Sequence, residues 1–517
     1  MSSPGYYFFG ARGPKLIAAI ITCAAVCFLL LGYDQGVLSG VLTNTYFLDA
    51  MGHPSSSMIG TVTAIYDVGA WLGAMLCAVF GEKIGRKKSA YLGLGTMLIG
   101  AAIQTASFSA AQMLVGRIIT GLGMGTNGAT FPMWAAEMVK PRHRGRLLSA
   151  LGSSVGFGIF FSYWFEYGLS YVNHPASWRV PVALQMVFAT VSLSLLVFLP
   201  ESPRWLVAHG RLEEATGVLA AVESNTADGN TPEVIARRDD IVRALELEHA
   251  QGPVRWAELF QNNETKNRRR FFLAIGIQVF QQMSGVNALV YYIPYLLQNS
   301  MGLSIRTSLW VSGLNGLVFF LCSAYPIFFL DRFGRPKPFM VASTIQSISM
   351  IMVAVLLSLN KHSTNYAAIV FFFTYIAIYG TCYMGTPWLY SPELLPLRLR
   401  AKGTAVATSF SWLCTFVIVE ITPPAITNIS WKTYIIFATL NASFVPLLWW
   451  FYPDTSRKSL EEIDEIFMGK KVGFNAAVID HDGVRDEETS TPSEKAEHVT
   501  VFDEKTATYP MGGNAVA

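Results

Sequence analysis

The octapeptide GEKIGRKK occupies residues 81–88, and a close counterpart, LDRFGRPK, occupies residues 330–337. Two further stretches have counterparts at nearly the same spacing, roughly 250 residues later in the chain. They are PMWAAEMVKPRHRGR at 132–146 with PWLYSPELLPLRLRAKG at 387–403, and PESPRW at 200–205 with PDTSRK at 453–458. Three repeats at one spacing predict a protein made of two similar halves.

The composition indicates that lipid is the solvent for much of this chain. Of its 517 residues, 52% are hydrophobic and only 14% are charged, whereas soluble domains carry about 25% charged residues. A spanning helix needs roughly 20 apolar residues, and the sequence contains twelve such runs. We therefore expect an all-α membrane protein with twelve transmembrane helices in two six-helix halves. The runs lie at about 16–40, 59–80, 90–108, 113–136, 147–169, 180–199, 271–298, 305–329, 338–359, 365–391, 403–426 and 432–452.

The remaining segments complete the expected domain organisation. Lys and Arg cluster in the short loops on one side of the predicted helices, which places that side in the cytoplasm. An even number of spans puts both termini there, and we expect a plasma-membrane location. The predicted domains are a cytoplasmic N-terminus (1–15), a first half (16–199), cytoplasmic loop helices (200–270), a second half (271–452) and a cytoplasmic tail (453–517), disordered from about 480.

As a set, these motifs resemble the sugar porter family of the major facilitator superfamily, and fungal members most of all. The resemblance covers about residues 20–465. Besides the repeats, it rests on GYDQGVLSG (32–40), GRIITGLGMG (116–125) and QVFQQMSGVNALVYY (278–292). It implies the major facilitator fold and an alternating-access mechanism.

An acidic residue, Asp34, interrupts the apolar run FLLLGYDQGVLSGV at 28–41. A charge at the centre of a lone spanning helix costs on the order of 3 kcal/mol, so such a residue needs a partner or a proton. The best candidate partner is Arg117, in the fourth run. A purely structural ion pair is the alternative to a proton-coupling site. In sugar porters, proton-coupled members carry Asp at this position and passive members typically Asn, so the resemblance favours proton symport.

Four amides are concentrated in the seventh run. Gln278, Gln281 and Gln282 share one helix face, and Asn287 follows. Because an amide both donates and accepts hydrogen bonds, this group suits a neutral, hydroxyl-rich cargo. The alternative is that the amides bond neighbouring helices. In sugar porters these four positions contact substrate.

Aromatic residues near the amides are further candidates. Trp388, and more weakly Trp412, could stack on the apolar face of a sugar ring; membrane-interface anchoring is the alternative. Gly285 would allow the seventh helix to bend, with a gate at Tyr291 and Tyr292.

The basic loops also contain regularly placed acids, which predicts ion-pair latches at the cytoplasmic ends of both halves. Anchoring of the basic residues at lipid headgroups is the simpler interpretation. In sugar porters such pairs hold the outward-open state and break in the inward-open one. The predicted latch residues are Glu82, Arg86, Glu137 and Arg144 in the first half, and Asp331, Arg335, Glu393 and Arg400 in the second.

The chain departs from the family pattern at several polar positions. Gly152 stands where many members have Gln, Phe319 stands where many have Asn (with Asn315 nearby), and Ser411 precedes Trp412 where many have Asn. These departures suggest a cargo other than plain glucose: a bulkier sugar, a polyol or a pentose. Ala78 and Glu82 replace the usual Gly and Asp of the first basic loop, which suggests a looser latch.

The sequence favours a transporter over other classes. It shows no catalytic group, no P-loop, and no metal-ligand spacing among His or Cys, so no enzyme activity, cofactor, metal or nucleic-acid partner is expected. The expected partners are a small neutral sugar or polyol, a proton and membrane lipid, and the protein is expected to be a monomer. A passive facilitator, a nutrient sensor and a metabolite exporter remain alternatives.

Overall fold

A computed structural model describes residues 10–140, 143–250, 255–329, 334–456, 458 and 460–468. The predicted latch residue Asp331 and the predicted disordered tail from about 480 lie outside these described residues. No strand occurs in the described part of the chain, which is almost entirely helical.

Twelve membrane-crossing units follow one another in the described part of the chain, which confirms the predicted fold class. Two of them are broken into two pieces. The first half consists of α1 (Gly13–Val41), α2 (Ser56–Ile84), α3 (Arg86–Thr105), α4 (Ala110–Met138), α5 (Arg144–Leu169) and α6 (Ala176–Val197). The second consists of α7a (Asn267–Met283), α7b (Val286–Met301), α8 (Ile305–Ala324), α9 (Pro336–Ser358), α10a (His362–Cys382), α10b (Thr386–Leu394), α11 (Arg400–Ile429) and α12 (Lys432–Phe451).

Ten helices of the described chain are long and apolar enough to cross a membrane. The two units that fall short are α3 and α4. Helix α3 opens with the basic run at 86–88, and α4 carries Arg117 and Glu137. These charges lower the hydropathy of both helices; Arg117 is fully buried inside the protein.

Helix α7 breaks at a glycine, as its sequence suggested. Gly285 has φ +98°, in the left-handed region that favours glycine. Phe437 of α12 packs so closely that a side chain at this position would overlap it. Helix α10 breaks between Cys382 and Thr386, and its sequence gave less warning, since only Pro387 marks the restart.

Glycines let α2 and α4 approach until their backbones touch. A Cβ atom added to Gly125 of α4 would lie 1.9 Å from the carbonyl oxygen of Ala70 in α2, and one added to Gly73 would lie 2.0 Å from that of Leu122. No side chain fits at such distances. This close approach fixes the positions of α2 and α4 relative to each other. Both helices carry buried charged residues.

The segment that links the two halves forms short helices, which contact both halves. In the helix Pro232–Ala250, Arg237 donates from Nη2 to three carbonyl oxygens at the end of α4, at 3.0–3.2 Å. These carbonyls have no partner within their own helix. Nearer the second half, Glu258 pairs with Arg398 at 3.3 Å.

The close contact of α2 with α4 predicts a sharp contrast between two glycines. Gly125→Val should reduce the yield of monodisperse protein and lower its thermal stability, because overpacking costs about 1–3 kcal/mol. Gly95→Val is the matched control, since a Cβ atom there meets nothing within 4 Å. Size-exclusion chromatography and thermal unfolding in detergent would measure both. Equal behaviour of the two variants would contradict the packing described here.

Candidate transport site

Asp34 of α1 and Arg117 of α4 form an ion pair inside the first half. Nη1 of Arg117 donates to both carboxylate oxygens of Asp34 at 3.1 Å, and both side chains are 0% exposed. Nη2 donates to the carbonyl oxygen of Thr63 in α2 at 3.1 Å. The guanidinium also lies over the ring of Tyr66, 4.3 Å from its centre, in cation–π geometry.

The pair lies towards the end of the helix bundle at which α1 ends and α4 begins. Asp34 precedes the last residue of α1 by seven residues, and Arg117 follows the first residue of α4 by seven. At 1.5 Å per residue, both are therefore about 10 Å inside the helix ends. The equal depth of the two residues brings them together.

Three more acids lie within the apolar helices, and the sequence analysis missed them by treating Asp34 alone. Asp67 of α2 is fully buried, and neither of its carboxylate oxygens has a hydrogen-bond partner in the described part of the chain. Glu166 of α5 accepts two backbone N–H groups of α1, at 3.2 and 3.1 Å. Glu420 of α11 accepts from Thr61 at 2.8 Å. Each was visible in the sequence as an acid inside an apolar run.

In the second half, two of the predicted amides join a polar cluster. Nδ2 of Asn287 donates to Oε1 of Gln282 at 2.7 Å and to the Thr415 hydroxyl at 3.2 Å. Nε2 of Gln282 donates to the Ser411 hydroxyl at 2.8 Å. These four side chains connect the broken helix α7 to α11. Ser411 therefore contacts the amides directly, which the sequence indicated only as a departure from the family pattern.

The other two amides contact the break in α10. Nε2 of Gln281 donates to the carbonyl oxygen of Tyr383 at 3.0 Å, and Nε2 of Gln278 donates to that of Pro387 at 3.4 Å. Carbonyl groups at a helix break lack their helical hydrogen-bond donors, and these amides supply the missing hydrogen bonds. Oε1 of Gln278 has no partner among the described residues. Both interpretations of the amides thus have support: they bond neighbouring helices, and they keep polar atoms available.

The two tryptophans lie on different helices. Trp388 is on α10b, where it is partly exposed, and Trp412 is a buried residue of α11. A Cβ atom on Gly128 of α4 would lie 3.9 Å from the Trp412 ring, so this ring borders the first half. Where many sugar porters have Gln, the Cβ position of Gly152 is 3.6 Å from Met384.

The predicted gate residues lie in α7b and are fully buried. The Tyr292 hydroxyl donates to the carbonyl oxygen of Val419 at 3.0 Å, whereas that of Tyr291 has no hydrogen-bond partner among the described residues. Close by, Tyr163 of the first half donates to the carbonyl oxygen of Val290 in the second. The two halves therefore meet at these tyrosines, which are shielded from water.

The end of the first half at which α3 begins and α4 ends contains one of the predicted ion pairs. Nη2 of Arg86 donates to Oε1 of Glu137 at 3.3 Å, and Ser202 donates to the other carboxylate oxygen. The neighbouring Glu201 accepts the backbone N–H of Lys87 at 3.0 Å. Residues of the PESPRW motif thus hold both the ion pair and the start of α3, a role that the sequence analysis did not assign.

The second half repeats this arrangement. Arg335 donates two hydrogen bonds to the carboxylate of Glu393, at 3.1 and 2.9 Å, and Thr455 donates to the same carboxylate at 2.6 Å. Asp454 accepts the backbone N–H of Arg335 at 3.3 Å. Although burial acts to raise the pKa of Asp454, hydrogen bonds from Ser456 and Arg335 bring this pKa below its ordinary value. Asp454 therefore stays ionised.

The structure does not place the other predicted latch residues in these pairs. The Glu82 side chain is exposed, and only its carbonyl oxygen takes part, by accepting from Trp205 at 2.7 Å. Nε of Arg144 donates to the carbonyl oxygen of Ala136 at 3.0 Å, and Nη2 of Arg400 to that of Leu395 at 3.4 Å. Both arginines thus bond the carbonyls at nearby helix ends, which is a positioning contact for α5 and α11.

Comparisons with known proteins agree with this geometry. The family described as "Sugar (and other) transporter" matches residues 20–467. The MFS-type transporter oryC of Aspergillus oryzae is 40% identical over 470 residues, which cover 89% of this chain and 87% of that protein. The sugar transporter STL1 of Saccharomyces cerevisiae is 35% identical over 477 residues, with 89% and 82% covered.

Solved structures share the fold. The proton:xylose symporter XylE bound to 6-bromo-6-deoxy-D-glucose superposes with a TM-score of 0.73 at 23% identity, over 88% of this chain and 99% of that one. A partially occluded, inward-open structure of XylE from E. coli gives 0.71 at 20% identity, over 85% and 100%. With the family match and the two fungal relatives, this likeness confirms the resemblance seen in the sequence. The chain belongs to the sugar transporter family of the major facilitator superfamily and is a multi-pass membrane transporter, not an enzyme.

Proposed function

We propose that this protein imports a neutral sugar or polyol together with a proton, by alternating access across the plasma membrane. The observation that carries the proposal is the fully buried pair of Asp34 and Arg117. The basic loops set the orientation, with both termini in the cytoplasm.

The buried pair can respond to protons. Burial makes an isolated charge costly, so the Asp34 carboxylate stays ionised only while the guanidinium is beside it. A movement that separates α1 from α4 leaves the carboxylate without a cation. Binding a proton then removes the buried charge and lowers the free energy. The proton and Arg117 therefore compete for one carboxylate, and the competition is decided by helix positions.

The amide cluster suits an uncharged cargo. Gln282, Asn287 and Ser411 present both donors and acceptors, as sugar hydroxyl groups do. Similar proteins support the class of cargo: the yeast relative is named a sugar transporter, and a Kluyveromyces lactis relative, 27% identical, is named a high-affinity glucose transporter. The small side chains at Gly152 and Ser411 leave room that favours a cargo other than plain glucose.

The two cytoplasmic ion pairs act as latches. Each joins the start of the third helix of its half (α3 or α9) to the end of the fourth (α4 or α10), through Arg86–Glu137 and Arg335–Glu393. A guanidinium–carboxylate pair holds these ends at a defined separation. Opening the cytoplasmic side moves the helix ends apart and must break the pairs.

Asp34→Asn should abolish uptake against a concentration gradient and leave exchange of cargo, because the amide keeps the shape but cannot bind a proton. Uptake of radiolabelled sugars and polyols would be measured in cells without their own transporters, at two external pH values and with a protonophore. Asp49→Asn, an exposed substitution (64% side-chain exposure), is the control. If the Asp34 variant still accumulates cargo, the protein is a facilitator or uses another coupling site.

Gln282→Ala should raise KM about threefold to tenfold, the range expected for the loss of one or two hydrogen bonds to the cargo. Gln298→Ala, an amide near the outer end of α7b, should leave KM unchanged. Uptake of the different radiolabelled sugars and polyols tests the proposed class of cargo. A strong preference for glucose over polyols, pentoses and disaccharides would contradict it. Export without uptake would favour the alternative of a metabolite exporter.

Glu137→Gln should slow transport several-fold without changing the amount of protein at the cell surface, since it removes the charge that holds Arg86. Glu82→Gln is the matched control, because that side chain is exposed. Maximal uptake rates, normalised to surface protein, would measure both. A larger effect of Glu82→Gln would refute the latch assigned to Glu137.

A further inference from the structure

Asp67 is a buried acid whose carboxyl group lacks, within the part of the chain that the structure describes, the hydrogen-bond and ion-pair partners that a buried charge requires. It lies in α2, directly after Tyr66, and it is 0% exposed. Neither carboxylate oxygen has a hydrogen-bond partner among the described residues. Glu166, another buried acid, accepts two backbone N–H groups instead. An ionised carboxylate without partners is among the costliest groups in a membrane interior, so Asp67 requires either a cation or a proton.

The only cation facing Asp67 within the described residues is Arg117, and it is already engaged. Its Nη1 binds both oxygens of Asp34 and its Nη2 binds the Thr63 carbonyl. The other titratable groups around Asp67 come from four helices and carry no positive charge. They are Asp34 of α1, Tyr66 of α2, Tyr291 and Tyr292 of α7b, and, beyond Tyr292, Glu420 of α11.

A count of charges then decides the state of Asp67. Asp34 and Asp67 are the two carboxyl groups that interact with Arg117, whereas Glu420 accepts from Thr61 and acts on Tyr292. Asp34 makes the bonds to the guanidinium, so the group of Asp34, Asp67 and Arg117 is neutral only if Asp67 carries a proton. Since a net charge in the membrane interior is strongly disfavoured, the arrangement seen here holds one proton more than the pair of Asp34 and Arg117 accounts for.

Asp67 also interacts with the outer gate. Tyr291 belongs to the second half, and its buried hydroxyl, like Asp67, lacks a hydrogen-bond partner among the described residues. The Tyr291 hydroxyl is nevertheless the side-chain donor that acts on Asp67, although the two groups do not reach full hydrogen-bond geometry here. A neutral carboxyl tolerates this buried ring beside it, whereas a carboxylate would draw in water and separate the two halves.

We propose that Asp67 is a second proton-binding carboxyl group, and that its protonation closes the outer gate by allowing Tyr291 to pack against the first half. Ionised Asp67 favours an outer side open to water, from which the proton arrives. Closure removes that water and traps the proton. This inference rests on the proposed proton-coupled uptake and adds to it a group that connects proton binding to the gate.

The test measures opening of the outer side, without transport. Ser39 is fully buried near the outer end of α1, so Ser39→Cys should react with a membrane-impermeant maleimide only when the outer side opens. The full-length protein is labelled in intact cells, from acidic to mildly alkaline external pH, and the parent without this substitution gives the background. Because the thiolate is the reactive form of cysteine, each rate is divided by that of an exposed Asp49→Cys variant at the same pH. This normalised rate should rise several-fold with external pH, because Asp67 ionises.

Variants in the Ser39→Cys background locate the group responsible. Asp67→Asn, which mimics the protonated carboxyl, should label slowly at every pH. Asp67→Glu, which still titrates, and Glu166→Gln, which removes a different buried acid, should keep the pH dependence. Tyr291→Phe should weaken the pH dependence of labelling when Asp67 is present. Added to Asp67→Asn, it should have no further effect on the labelling rate.

The outcomes separate this inference from the proposed function. If Asp67→Asn labels with the same pH dependence as its parent, Asp67 does not bind the gating proton, whatever the uptake assay shows. If Tyr291→Phe and Asp67→Asn have independent effects, the two groups are not coupled, and the inference fails. If Asp34→Asn still accumulates cargo while Asp67→Asn abolishes pH-dependent labelling, proton coupling through Asp34 fails and the gating role of Asp67 stands.

Discussion

Burial of the Arg117 guanidinium constrains the whole first half. Removing one partner of a buried ion pair costs about 3–5 kcal/mol, because the other charge is left uncompensated. Arg117 is held by the Asp34 carboxylate, the Thr63 carbonyl and the Tyr66 ring. These contacts come from α1 and α2, while Arg117 belongs to α4. Three helices must therefore approach closely, and the glycines of α2 and α4 allow their part of this approach.

The duplicated halves differ at the position of the buried acid. Gly32-Tyr33-Asp34 in α1 corresponds to Gly285-Val286-Asn287 in α7, at the spacing of the other repeats. One half carries a carboxylate there and the other an amide of the same shape. The carboxylate is buried with a guanidinium, while the amide bonds other neutral polar groups. The buried ion pair and the cluster of neutral amides thus lie on opposite halves.

The sequence predicted features that depend on local composition or on the repeat. Apolar runs located the spanning helices, Gly285 marked the break in α7, and the amides stood out by number. Features that depend on which residues meet were harder. Two predicted latch arginines, Arg144 and Arg400, bond helix-end carbonyls, because the carboxylates nearby are already held by Arg86 and Arg335. Asp67 was visible as an acid in an apolar run, but its lack of a partner follows only from the positions of four helices.

Bond strength differs between contacts inside a half and contacts between halves. The ion pairs described above, Arg117 with Asp34, Arg86 with Glu137 and Arg335 with Glu393, each join residues of one half. The described hydrogen bonds between halves near α7b carry less charge: Tyr163 donates to the carbonyl oxygen of Val290, and Thr61 donates to Glu420. A hydrogen bond between uncharged groups contributes about 1 kcal/mol, so such a bond is readily exchanged for water. Separating one of the ion pairs costs more, because it requires helices of the same half to move relative to one another and leaves two charges uncompensated.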